Sequence, residues 1–339
     1  MVEPLDPGAE EYPLVVIVGP TASGKSGLAI RLALAFGGEV INFDSVQVYR
    51  GFDVGSGKLG PAERQGIRHH LLDVAEPEST FTAGDYRREA LKALEDVRSR
   101  GALPILAGGT GLYLRALLAG LFEGPKRSEA LRRRLGAMAE RRGRDFLHRM
   151  LARKDPETSA RVHPRDTQKI VRALEVCLVE RRPFSELLGR GREALQGFRT
   201  CKIGLAPPRE ALARRINART EGMFAGGITE EVRRALARGQ AALIPPLEAL
   251  GYRQARAFVQ DRVTCAEAIR EAQSQTRQYA KRQMTWFRRE PGVHWFRGFG
   301  DDPAVERQVF EWLAQALSGN SPQRRGSASS SFRSSGIWP

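Results

Sequence analysis

An unbroken apolar run, Leu14-Val-Val-Ile-Val18, leads directly into Gly19-Pro-Thr-Ala-Ser-Gly24-Lys25-Ser26. Without polar alternation and rich in β-branched residues, the run reads as a parallel strand buried on both faces. From Lys25 the residues Leu28, Ile30, Leu32, Leu34 and Phe36 predict a largely apolar helix that stops at Gly37-Gly38. A strand, a loop of the form G-x-x-x-x-G-K-[ST] and a helix, in that order, are what a phosphate-cradling loop requires. Glycines let backbone N–H groups curl around phosphate oxygens, and the helix N-terminus adds a positive field. Gly19, Pro20, Thr21, Ala22, Ser23, Gly24, Lys25 and Ser26 are therefore the predicted diphosphate or nucleotide site. Lys25 would neutralise charge there, and the Ser26 hydroxyl would ligate Mg²⁺.

The same alternation continues. Glu39-Val-Ile-Asn-Phe43 reads as a second strand, a helical pattern runs from about Gly84 to Arg100, and Leu103-Pro-Ile-Leu-Ala107 reads as a third strand before Gly108-Gly-Thr-Gly111. Strands alternating with helices predict an α/β fold, a P-loop NTPase-like parallel sheet core flanked by helices. From about Ser128 to Gln196 strand signals vanish and the chain is Arg-rich with helical spacing, as in Ile170, Leu174, Cys177 and Leu178. The expected organisation is a discontinuous core of residues 1–127 and 200–317 around an inserted all-helical lobe of 128–199. Lys202-Ile-Gly-Leu205 resumes the sheet and Val293-His-Trp-Phe296 ends it. Residues 318–339, rich in Ser, Gly and Arg, read as a disordered tail.

Composition narrows the partners. Lys and Arg number 54 against 39 Asp and Glu, a formal net charge of +15, which favours a polyanion. Cys177, Cys201 and Cys265 have neither disulfide-framework nor zinc spacing and fit a reducing cytoplasm. No apolar run reaches the roughly 18 residues of a membrane span, and the acidic start lacks the marks of a secretory signal.

The loop specifies a polyphosphate, not a reaction. The guanine-reading Asn-Lys-x-Asp pattern does not occur. Asp44, ending the second strand, is open as a magnesium ligand, a general base or a turn aspartate. A small-metabolite kinase, or an RNA-binding protein with a vestigial loop, shares the same bare pattern.

Further motifs occur in order: Asp44-Ser-Val-Gln47-Val-Tyr49-Arg50-Gly51, His69-His70-Leu-Leu-Asp73, Gly108-Gly-Thr110-Gly-Leu-Tyr113, His163-Pro-Arg-Asp166 with Gln168-Lys-Ile-Val-Arg172, Gly251-Tyr252, and Thr276-Arg-Gln-Tyr-Ala-Lys-Arg282-Gln-Met-Thr-Trp286-Phe-Arg288. Over about Leu14 to Arg288 the chain resembles the tRNA dimethylallyltransferases, or tRNA isopentenyltransferases, of bacterial type. The resemblance implies transfer of a dimethylallyl group from dimethylallyl diphosphate to N6 of the adenine next to the anticodon of tRNA, with Mg²⁺ as cofactor and a cytoplasmic monomer as catalyst. It makes Asp44, Lys25 and Thr110 catalytic. It places tRNA contacts on Asp44, Ser45, Val46, Gln47, Thr110, Arg132, Gln168, Lys169, Ile170, Val171 and Arg172. Around Arg132 the chain departs from the family pattern, with Pro125-Lys-Arg-Ser-Glu129 where relatives carry Pro-x-Ala-Asp. A tight turn at Gly108–Gly111 and a solvated helix face at Lys169 and Arg172 are the plainer alternatives. Arg215 and Arg219, at i and i+4, form either an anion clamp or a surface face, and His69 and His70 read as structural.

Overall fold

The computed structural model describes residues 5–122, 124–125, 127–188, 193–238 and 244–318, and only the backbone of Arg144. The tail expected from residue 318 onward falls, beyond Ser318, outside the described residues. Two compact units emerge among them, one of residues 5–117 and 196–318 and one of residues 118–195.

In chain order the elements are β1 (Tyr12–Val18), α1 (Lys25–Phe36), β2 (Gly38–Asn42), β3 (His69–His70), α2 (Ala83–Ser99), β4 (Leu103–Ala107) and α3 (Gly111–Ala119). Five helices follow: α4 (Glu129–Arg142), α5 (Arg144–Lys154), α6 (Pro156–Arg161), α7 (Thr167–Glu180) and α8 (Phe184–Leu187). The chain then returns to β5 (Phe198–Leu205), α9 (Arg209–Ala225), α10 (Ile228–Ala237), α11 (Tyr252–Val259), α12 (Cys265–Phe287), β6 (Val293–Phe296) and α13 (Pro303–Leu317).

The sheet of the larger unit has the order β3-β2-β4-β1-β5-β6, with every described pairing parallel. β1 is central and buried at all seven residues, as its unbroken apolar sequence requires. Val15 and Ile17 pack with Leu28 and Leu32 of α1 and with Val309 and Leu313 of α13. Leu14, Val16 and Leu106, on the other face, are equally inaccessible to solvent. α1 ends at Gly37, whose left-handed backbone (φ 64°) turns its N–H onto the Ala33 carbonyl, and Gly38 already belongs to β2. Leu34 is 52% exposed because it lies well round the helix from Leu28 and Leu32. The two-residue β3 is too short to leave a periodic signal in sequence. His69 binds the Ile67 carbonyl there, and His70 meets Glu39 at 2.7 Å.

The smaller unit is helical. Its core gathers Leu135 of α4, Leu147 and Leu151 of α5, and Ile170, Leu174 and Cys177 of α7 around Phe184. Leu178, expected on that apolar face, is 36% exposed at its edge. Asp155 is fully buried and ties α6 to α8, accepting from the Thr158 and Ser185 N–H groups and the Ser185 hydroxyl.

Leu32 is fully buried between α1 and the sheet. Leu32→Ala should lower the unfolding free energy by about 2–5 kcal/mol, read from urea unfolding followed by circular dichroism.

Candidate active site

Because the strands are parallel and adjacent, the carboxyl ends of β2, β4 and β1 open on one edge of the sheet, where ligands of open α/β sheets bind. Asp44 follows β2, Thr110 follows β4 and the loop Gly19–Ser26 follows β1.

The loop conformation is one that a short, glycine-containing segment can hold. Gly19 has φ 146°, Gly24 φ 87° and Ala22, without glycine's freedom, φ 62°. Helices α2 and α12 fill their N-termini with capping boxes, Thr82 with Asp85 and Thr264 with Glu267. α1 has no side-chain cap, so its first-turn N–H groups and its field are left for an anion. Around it the loop is braced: the Gly300 N–H donates to the Ser23 carbonyl at 2.8 Å, and Asp301 pairs with Arg215.

Lys25 is buried, with Nζ donating to the Gly19 and Pro20 carbonyls at 2.9 and 2.7 Å. Burial, reinforced by the Arg219 guanidinium and opposed by Asp44, pulls its amine down to about 7. Arg219 comes from α9, with Nη1 donating to the Thr21 hydroxyl at 3.4 Å, and burial lowers its pKa too. Two crowded cations beside the uncapped N-terminus of α1 make a site that an incoming polyanion stabilises. The two arginines of α9 thus part company: Arg219 faces the loop, while Arg215 lies over the Phe299 ring and holds Asp301.

Asp44 is held as a turn aspartate and still keeps an oxygen free. Its Oδ1 accepts from the Val46 N–H at 2.9 Å and the Gln47 N–H at 3.4 Å, and its own N–H donates to Asn42 Oδ1. No hydrogen bond among the described residues uses Oδ2, which faces Gly109. The Thr110 hydroxyl accepts from the Ser45 N–H at 2.9 Å and donates to the Ser45 hydroxyl, while the Thr110 N–H donates to the Phe43 carbonyl. Thr110 therefore fixes the strand end that aims Asp44. Gln47 donates to the Ser56 and Gly57 carbonyls, and Val46, like Asp44 and Ser45, is part-exposed.

Gly108, Gly109 and Gly111 are not glycines of a left-handed turn, since none has positive φ. A Cβ at Gly108 would come within 2.6 Å of the Phe43 backbone, one at Gly109 within 2.6 Å of Gln283 Nε2, and one at Gly111 within 2.2 Å of Trp286 Nε1. They are small so that β2 and α12 can approach. Gln283 is the link: its Oε1 accepts from the Thr21 N–H at 2.8 Å and its Nε2 donates to the Gly109 carbonyl at 2.9 Å, and Tyr279, one turn earlier, donates to the same carbonyl. Sequence reading placed Gln283 inside a motif without giving it a role, because its partners lie 174 and 262 residues away.

Residues 47–290 match the IPP transferase family model. The chain is 52% identical over 305 residues to the tRNA dimethylallyltransferase of Solibacter usitatus, covering 90% of this chain and 99% of that one. The chain belongs to the IPP transferase family. The tRNA dimethylallyltransferase of Geobacter metallireducens is 46% identical over 286 residues, covering 84% of this chain and 93% of that one. Among solved structures, the tRNA isopentenylpyrophosphate transferase of Bacillus halodurans aligns with a TM-score of 0.69 at 34% identity, over 94% of this chain and all of that one. A eukaryotic dimethylallyltransferase acting on tRNA aligns with a TM-score of 0.77 at 26% identity, over 92% of this chain and 81% of that one.

The helical unit of this IPP transferase family member carries the remaining predicted residues. Ile170 and Val171 are 1% and 9% exposed, and their side chains pack in its core. Gln168 is exposed, and Lys169 pairs with Asp166 at 2.9 Å. Arg132 and Arg172 share one fully buried carboxylate, Glu175, at 3.0 and 2.7 Å. Burial works to raise the Glu175 pKa, and Arg132, the Ser128 N–H and Arg172 together hold it low. Both arginines have a folding role, and the cluster retains a net positive charge.

Three outcomes follow for the loop. Anion binding should recharge Lys25, so inorganic diphosphate should bind with proton uptake at pH 8 and much less at pH 6, measured by calorimetry in buffers of differing ionisation enthalpy. In the free protein the buried, protonated amine is least tolerated below about 7, and its contribution to stability should rise with pH above that, because the unfolded chain keeps the proton to ~10.4. Gln283→Ala strands the Thr21 N–H and leaves the Gly109 carbonyl to Tyr279 alone. It should cost about 1–3 kcal/mol in urea unfolding and weaken diphosphate binding in the same preparation.

Proposed function

We infer that this chain is a tRNA dimethylallyltransferase, moving a dimethylallyl group from dimethylallyl diphosphate to N6 of the adenine next to the anticodon. The observation that carries the reading is that the phosphate loop and a carboxylate with one free oxygen, Asp44, stand on the same edge of one sheet, in a chain of the IPP transferase family. Electron demand explains the pairing. An exocyclic adenine amine is a weak nucleophile, so the diphosphate must leave readily and the amine must lose a proton as it attacks.

In this reading the N6 lone pair forms a bond to C1 of the allyl group while the C1–O bond breaks and its electrons go to diphosphate. Lys25, Arg219 and the uncapped first-turn N–H groups of α1 stabilise the charge that gathers there. The N6 proton passes to Asp44 Oδ2, held in place through Oδ1 and Thr110.

The donor set near the loop also fits Mg²⁺. That ion needs few protein ligands when it binds phosphate and keeps several waters, and the Ser26 hydroxyl is exposed at the first turn of α1. Among the described residues no cluster of His, Cys, Asp and Glu offers a cation a cage of its own. When bound, Mg²⁺ would add charge stabilisation on the leaving diphosphate.

The RNA partner is supported by the net charge of +15. A flipped base costs a few kcal/mol, which backbone contacts offset. For those contacts we put forward Gln168, Lys169, Arg172 and Arg132 of the helical unit, together with Ser45, Val46, Gln47 and Thr110. Three free cysteines accord with the cytoplasm, and among the described residues no helix is long and apolar enough to cross a membrane.

Incubating the protein with Mg²⁺, labelled dimethylallyl diphosphate and unmodified tRNA should yield N6-dimethylallyl adenosine beside the anticodon, read by mass spectrometry of nucleosides. Asp44→Ala should lower turnover by ~10² to 10⁴ while diphosphate still binds. Unchanged turnover would remove the base assignment, and absence of transfer with phosphate moving from ATP to a metabolite would make the chain a kinase.

A further inference from the structure

Glu231 of α10 is 3% exposed, and no cation pairs with it among the described residues. Its carboxylate is satisfied by four neutral donors. Oε1 accepts from the Asp53 N–H at 2.9 Å and the Val54 N–H at 2.8 Å, and Oε2 accepts from the Gly55 N–H at 3.3 Å and the Tyr252 hydroxyl at 2.6 Å. Three successive backbone amides turned toward one buried carboxylate are a costly arrangement for a loop to adopt unless the anion organises it. Fit is close around it: a Cβ on Gly55 would meet Tyr252 Cζ at 2.5 Å and Ile228 Cδ1 at 2.6 Å.

The loop so held continues into the diphosphate site. The Gly57 N–H closes a turn on the Val54 carbonyl at 3.0 Å, and the Ser56 and Gly57 carbonyls receive the Gln47 side chain. At Gly57 the backbone lies close against the Arg219 guanidinium, since a Cβ there would stand 1.7 Å from Nη2. Arg219 in turn reaches Thr21 of the phosphate loop. Lys58 secures the far side of the segment, binding the Tyr49 carbonyl and Asp73.

We propose that Glu231 is a positioning residue for the diphosphate pocket: by gathering the amides of residues 53–55 it sets Gly57 as the wall that holds Arg219 against the phosphate loop. The inference rests on the reading of that loop as a diphosphate site. Glu231 is separated from residue 53 by 178 positions and belongs to none of the motifs that sequence reading singled out. Tyr252 donates to the carboxylate and meets the Ser56 N–H, outside the amides of residues 53–55 that Glu231 gathers, so the two residues contribute differently. Tyr252 supports stability and Glu231 orients a cation.

Inorganic diphosphate binding, measured by calorimetry on the full chain beside the melting temperature, separates these roles. Glu231→Gln places an NH₂ against the Gly55 N–H and should weaken diphosphate binding about tenfold, with a matching rise in KM for the allyl donor and KM for tRNA unchanged. Tyr252→Phe should lower the melting temperature and leave diphosphate affinity within about twofold. If Glu231 acts through Arg219, adding Glu231→Gln to Arg219→Ala should weaken binding no further. Gly57→Ala, which displaces the guanidinium directly, should reproduce the Glu231→Gln loss, and it carries the test should Glu231→Gln fail to fold. Unaltered affinity in Glu231→Gln, losses that multiply independently with Arg219→Ala, or wild-type affinity in Gly57→Ala would each overturn the proposal. Failure of the unsubstituted protein to bind diphosphate would instead overturn the reading of the loop, and this inference with it.

Discussion

Parallel pairing of β1 with β4, and of β4 with β2, is the constraint on which the chemistry depends. Parallel neighbours end on the same side, so a phosphate loop, a threonine turn and a carboxylate that are far apart in sequence emerge together. The pairing is itself bought by burial: β1 and β4 have no solvent-facing residue, and both faces of the sheet must be covered before their backbone bonds can hold.

Once the strand ends converge, the remaining problem is to keep their loops from collapsing on one another. Helix α12 solves it with side chains in place of backbone, laying Tyr279, Gln283 and Trp286 against the glycine run that carries Thr110. One carboxamide thereby binds both the phosphate loop and the threonine turn, so the two share one support. The C-terminal segment adds a second brace through Gly300 and Asp301.

Each unit also has a fully or nearly buried glutamate, and the two are satisfied in opposite ways. Glu175 in the helical unit draws in two arginines, a charged cluster that binds α4 to α7. Glu231 in the sheet-containing unit draws in amides and a phenol. A paired carboxylate fixes cations where they stand. An amide-bound carboxylate fixes backbone and leaves the nearby guanidinium of Arg219 uncommitted to any carboxylate among the described residues, which a polyanion site requires.

Much of the site was legible from local pattern. The apolar run before Gly19, Lys25 at the head of a helix and Asp44 at a strand end are relations between residues a few positions apart, and their geometry follows from strand and helix periods alone. The order of motifs from Asp44 to Trp286 was enough to point to the family. Pattern was silent or ambiguous wherever the deciding contact is a side chain reaching across the fold. It could not say that Arg219 faces the loop while Arg215 binds Asp301, that Ile170 and Val171 turn inward, that glycines 108 to 111 serve close approach, or that Gln283 and Glu231 hold loops some hundreds of residues away. Sequence determined which elements form and in what order they bring the glycine-rich loop, Asp44 and Thr110 to the strand ends, because backbone periodicity is a short-range property. Tertiary structure alone decided which polar side chains share a buried space, because that depends on the packing of elements whose separation along the chain leaves no periodic trace.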